Sequence, residues 1–186
     1  MHKNRLIVCA VLLIAAAVWM PEAKASSEKQ AVPAVFLMKT IEGDEISIPN
    51  KGQKMILHFW TSWCPPCKKE LPQFQTYFEQ HQSGDVSLVT VNLMNAERNK
   101  NSVQNFVSQH HLTFPIVLDT KGELMKEYDV MTIPTSFLLN EKGEIEKKDR
   151  RSDDRLTIKR MVREIKRCGR NSSRTFFAYN EQLKKH

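Results

Sequence analysis

The sequence predicts an α/β chain built on a mixed β-sheet flanked by helices. Three observations predict it. Short apolar runs of strand length recur along the chain, and segments with helical apolar spacing lie between them. The last part reads as two extended segments joined by a turn, followed by an amphipathic stretch. Strands that alternate with helices form a sheet covered on its faces. A length of 186 residues suits one domain with a real core, and 41% hydrophobic with 26% charged residues excludes a disordered chain.

In chain order, residues 35–38 and 45–48 are predicted to form a small hairpin around Gly43. Residues 55–60, an apolar run of β character, are expected as a central strand. Cys67, Leu71, Phe74 and Phe78 then recur at helical spacing and mark one face of a helix. Residues 86–93 read as the next strand, and Val103, Phe106 and Val107 mark another helix. Residues 114–118 read as a strand ending in the turn Asp119-Thr120-Lys121-Gly122. Residues 135–139 are a strand, residues 140–143 a turn, and residues 144–148 a charged edge strand. Ile158, Met161, Val162 and Ile165 give a last amphipathic helix.

The ends of the chain differ from its body. Lys3 and Arg5 precede residues 6–20, fifteen residues without a charge, and Ala23-Lys24-Ala25 follows. A basic start, an apolar stretch and Ala-x-Ala make an export signal. The run is short of the roughly 20 residues a full span needs, so cleavage after Ala25 is favoured over an uncleaved anchor. Either outcome places the folded part outside the cytoplasm, and membrane association would run through residues 6–20. The expected organisation is a signal peptide or anchor over 1–25, a linker over 26–33, a folded domain over 34–168 and a basic tail over 169–186. The net charge of +7 is concentrated late: residues 155–186 carry ten Lys or Arg against two Glu. A nearly neutral body argues against nucleic-acid binding. A monomer is expected.

Of four cysteines, Cys9 lies in the apolar leader run and is not read as a lipidation site; Cys168 stands alone and is read as structural or incidental. The informative pair is Cys64 and Cys67, within Trp63-Cys64-Pro65-Pro66-Cys67-Lys68. Two cysteines three residues apart at a helix start can close a small disulfide ring. The first sits where free N–H groups and the positive helix end favour a thiolate, the species that attacks disulfides. The second, one turn in and more buried, can resolve the mixed disulfide. A zinc site is not expected: there is no second cysteine pair, and His110 and His111 are adjacent. No cofactor is expected. Pro65 and Pro66 suit a helix start but remove two N–H donors that would have faced the thiolate. A less stabilised thiolate makes the pair a better reductant.

The segment Phe59-Trp60-Thr61-Ser62-Trp63-Cys64-Pro65-Pro66-Cys67-Lys68 resembles a thioredoxin-type active site. Pro72 matches the kinking proline of thioredoxin's active-site helix, and Ile133-Pro134-Thr135 resembles the cis-proline loop that faces the dithiol in that fold. The wider similarity, from about residue 35 to 167, is to extracytoplasmic thioredoxin-like proteins of the ResA, TlpA and StoA type. It includes Cys67-Lys68-Lys69-Glu70, Phe114-Pro115-Ile116-Val117-Leu118-Asp119 and Ile133-Pro134-Thr135-Ser136-Phe137. The resemblance implies a thioredoxin fold with an N-terminal hairpin and a central βα insertion. It implies reduction of disulfides in exported proteins, apocytochrome c among them, with a membrane electron donor restoring the dithiol.

Other site residues follow from position and resemblance together. Glu70, three residues after Cys67, is expected at the rim of the apolar face, partly desolvated and with a raised pKa, able to exchange a proton with Cys67. Proteins of the resembling type carry a functional Glu there. His58 stands where thioredoxin has a buried Asp and is expected to be a buried, neutral, hydrogen-bonded side chain. A cis bond before Pro134 would expose the Ile133 backbone to an extended substrate. Trp63 is expected to shield the site and offer contact surface, and Trp60 to lie in the core. Two other readings use the same cysteines: an oxidant or isomerase, since direction depends on potential and partner, and a Cu(I) carrier, which lacks a third Met or His ligand at obvious spacing.

Overall fold

The structure, a computed structural model, describes residues 33–81, 86–150, 160, 161 and 163. The leader, most of the linker, Cys9, Cys168, the basic tail and most of the expected last helix lie outside the described residues.

β1 (Phe36–Lys39) and β2 (Glu45–Ile48) form the antiparallel hairpin that the sequence suggests. Its turn needs a positive φ, which Gly43 supplies at 106° without a Cβ clash. The hairpin is a separate two-stranded sheet. It is tied to the rest through Thr40, which bridges Val117, and through the Ile41 amide, which donates to Ile116 O at 2.7 Å.

The main sheet contains β3 (Lys54–Trp60), β4 (Val86–Asn92), β5 (Ile116–Leu118), β6 (Thr135–Leu139) and β7 (Ile145–Asp149), in the spatial order β5-β4-β3-β6-β7. β3, β4 and β5 run parallel; β6 and β7 are antiparallel. The central strand β3 is buried along its whole length. A strand covered on both faces reads as a continuous apolar run rather than an alternation, which is why residues 55–60 were recognisable.

The alternation of side chains still divides the core. Ile56 and Trp60 face the cluster that holds Leu71 and Phe74 of α1 (Pro65–Gln80) and Val103 and Phe106 of α2 (Lys100–Gln109). Met55, Leu57 and Phe59 face the opposite cluster, with Ile48 of the hairpin and Leu124 of α3 (Glu123–Glu127). Met161 is fully buried in the α1 cluster, and Arg160 Nε pairs with the buried Asp149 carboxylate at 3.2 Å.

Three elements differ from expectation. β5 starts at Ile116 rather than at residue 114, because Pro115 has no N–H to give the ladder; its carbonyl instead accepts from the Thr90 amide at 2.9 Å. Helix α3 was not expected beyond the turn at Asp119. It is held by the Asp119 carboxylate, which accepts from the amides of Glu123 and Met125, both at 2.9 Å. On α1, Tyr77 is more buried than Phe78, which lies at the margin of the inward face.

Candidate active site

β3 leads directly into the site. After Trp60 the chain turns, with the Cys64 amide donating to Thr61 O at 3.4 Å, and Cys64 becomes the N-cap of α1. Pro65 and Pro66 occupy the first two helical positions, where a missing N–H leaves no intrahelical bond unmade. The first available donor is the Cys67 amide, which points at Cys64 Sγ at 3.3 Å. Among the described residues it is the hydrogen bond that reaches this sulfur. Cys64 and Cys67 form a disulfide with Cα atoms 5.3 Å apart, inside the usual range.

Cys64 is 3% exposed and Cys67 is 0% exposed. The order of burial is the expected one, but in the disulfide form the first cysteine is far more covered than an exposed attacker suggests. Glu70 likewise lies deeper than the rim position expected for it: at 2% exposure it is part of the buried face of α1, one turn beyond Cys67.

Around the disulfide, Trp63 stands 55% exposed with its indole N–H fixed on Ala96 O at 2.9 Å. The Ile133–Pro134 bond is cis, Ile133 packs against both core clusters, and Thr135 Oγ1 donates to Thr132 O at 2.6 Å. Met131, two residues before Ile133, is among the most exposed large hydrophobics of the described residues. A second cis bond, Ile48–Pro49, lies at the end of the hairpin and was not expected. Trp60 is in the core, as expected, with its indole N–H on Thr90 Oγ1 at 3.2 Å.

His58 is fully buried on the α1 side of β3. Its Nδ1 is hydrogen-bonded to Ser136 Oγ at 2.8 Å, and its ring lies 4.3 Å from that of Phe74. Burial pushes its pKa down to about 3, so the ring is neutral at physiological pH.

One contributor was not legible in the sequence. Glu97 holds the turn that delivers Cys64: Oε1 accepts from the Ser62 amide at 2.5 Å and from Asn92 Nδ2 at 2.8 Å, and Oε2 accepts from Ser62 Oγ at 2.7 Å. Its partner Ser62 is 35 residues away, and no local spacing connects them.

A parallel-plus-antiparallel sheet, a helix capped by the first of two cysteines three apart, and a cis-proline beside them define a thiol–disulfide oxidoreductase of thioredoxin fold. Residues 29–148 match the AhpC/TSA family, and the chain belongs to it. It is 66% identical over 148 residues to sporulation thiol-disulfide oxidoreductase A of Bacillus subtilis, a match covering 79% of this chain and 90% of that one. It is 33% identical over 156 residues to thiol-disulfide oxidoreductase ResA of Bacillus cereus, covering 78% and 87%. The crystal structure of StoA from Bacillus subtilis superposes with a TM-score of 0.61 at 74% identity, covering 64% of this chain and 89% of that one.

Proposed function

We propose that this oxidoreductase works outside the cytoplasm as a reductant of disulfides in exported proteins. The observation that carries the reading is the start of α1, where Cys64 caps the helix and the Cys67 amide is its donor. The Cys64 thiolate attacks one sulfur of a substrate disulfide. A Cys64–substrate bond forms, the substrate bond breaks, and the leaving thiolate takes a proton from water. Cys67 then gives its proton to the Glu70 carboxylate and attacks Cys64 Sγ. The substrate leaves with its second sulfur reduced, and two electrons have passed from the dithiol. A membrane dithiol donor returns them.

Trp63, Pro65, Pro66, Ile133 and Pro134 form the surface on which the substrate chain lies, with the Ile133 backbone pairing to it as an added strand. Residues 1–25 supply export or an anchor, residues 26–33 a linker, and residues 34–168 the working domain, acting as a monomer. Apocytochrome c-like or cell-envelope proteins are the proposed substrates, and the name of the 66% identical relative, a sporulation thiol-disulfide oxidoreductase, supports a role in sporulation.

Cys67→Ser is expected to trap a mixed disulfide on Cys64, visible by mass spectrometry and released by reductant, whereas Cys64→Ser gives no adduct and no turnover. Normal turnover by Cys67→Ser would refute the division of roles.

A further inference from the structure

Beside the dithiol lies a groove of about 640 Å³, between the turn that enters α1 and the segment that enters α2. Its lining comes from Ser62 and Trp63 of that turn, from Ala96, Glu97, Arg98 and Ser102 of the second segment, and from Lys68 in the first turn of α1. Trp63 immediately precedes Cys64, so a chain whose disulfide is on Cys64 passes this groove within a few residues.

The groove has a definite charge character. Its carboxylate, Glu97, is engaged with the Ser62 amide, the Ser62 hydroxyl and the Asn92 amide. Those bonds turn it into the wall. Among the described residues neither Lys68 nor Arg98 has a carboxylate partner; both are exposed, and Lys68 Nζ lies 6.0 Å from the Phe106 ring. Two unpaired cations therefore face an open space against a wall fixed by Glu97 and by the Trp63–Ala96 hydrogen bond. Such a wall does not have to be ordered at the moment of binding, which reduces the cost of docking a flexible chain.

We propose that this groove selects substrates: it takes the segment next to the attacked cysteine when that segment carries Asp or Glu. The inference rests on the exchange reading above and adds the substrate class to it. Exposed ion pairs are individually weak, so the preference is a matter of rate among competing disulfides, not of absolute requirement. Charge complementarity of this kind acts chiefly on encounter and register.

The test uses the reduced full-length protein and synthetic peptides that each contain one disulfide. The peptides differ only in Asp, Asn or Lys at three consecutive positions, placed before the attacked cysteine in one set and after it in the other. In one of the two sets the Asp peptide is expected to be reduced about fivefold faster than the Asn peptide, and the Lys peptide more slowly still. The Asp-to-Asn ratio, read within each protein, is expected to fall toward one in the double variant Lys68→Gln, Arg98→Gln. It should fall likewise in the parent as salt rises toward 1 M, where screening reaches about 3 Å. Equal rates for all three peptides in both sets would overturn the proposal, as would an unchanged ratio in the double variant. The Asn peptide separates the two levels: its turnover by the parent upholds exchange whatever the groove does, and its failure to react would strike the exchange reading itself.

Discussion

Glu70 and His58 are both ionisable, both buried and both on the α1 side of β3, yet they are expected to matter in different ways. Glu70 follows Cys67 by one turn on the buried helix face. Glu70→Gln keeps the shape and removes the carboxylate proposed to accept the Cys67 proton. Resolution of the mixed disulfide is expected to slow by roughly 10-fold to 100-fold, with a changed pH–rate profile and an intact fold. An unaltered profile would make Glu70 a structural residue only. His58 bears on stability instead. Its pKa is about 3 in the fold against 6.5 unfolded. Above pH 6.5 both states are neutral there, and the native state keeps its full stability. As pH falls from 6.5 toward 3 the unfolded chain gains a proton that the native state refuses, so stability is lost by about 1.4 kcal/mol per pH unit. Urea unfolding at pH 5 is expected to give about 2 kcal/mol less stability than at pH 7 from this group alone. His58→Asn should remove that part of the difference; an identical pH dependence in the variant would contradict it. His58 was legible because an apolar strand flanks it on both sides. Glu97 was not, because its importance comes from contact with Ser62 across the fold.

At the scale of elements, α1 is the decisive one. Pro65 and Pro66 were readable as a helix start, and they stand at its first two positions. With no N–H on either, the thiolate formed at Cys64 on reduction has the Cys67 amide as its near donor. Replacing Pro66 with His returns one donor and adds a side chain able to carry positive charge. That stabilises the thiolate and hence the reduced form, so equilibration with glutathione is expected to show a more oxidising couple. A shift in the reducing direction would refute the donor argument. The strands β3 and β6 were legible for a general reason: apolar residues of β character in runs of strand length have few other readings. Helix α3 was not, since five residues complete barely more than one turn and show no periodicity. Its stability lies in Asp119, which caps it, and in Gly122, whose φ of 71° lets the chain pass Asn95, where a Cβ would come within 2.9 Å of Asn95 Nδ2.

At the scale of the whole molecule, the sequence pattern of alternating strands and helices was enough to name the layers, and the motif pair at residues 64–67 and 133–135 was enough to name the chemistry. What the pattern does not set is the direction in which that chemistry runs, which depends on how far the fold as a whole favours dithiol over disulfide. The features that bear on it pull in both directions: a helix start with few N–H donors but a positive end, Lys68 and Arg98 in the groove beside it, and a cysteine pair that is buried in its disulfide form. Few donors and burial disfavour a negative sulfur, whereas the helix end and the two cations favour it; the proposed reductant role requires that the first pair prevail, since a less stabilised thiolate makes a stronger reductant. The measurement that decides is the reduction potential of the Cys64/Cys67 couple, obtained by equilibrating the protein against thiol–disulfide buffers and counting free thiols. The expected value lies near that of thioredoxin, about −270 mV, and a value near that of the oxidant DsbA, about −120 mV, would contradict the proposal that this protein is a reductant.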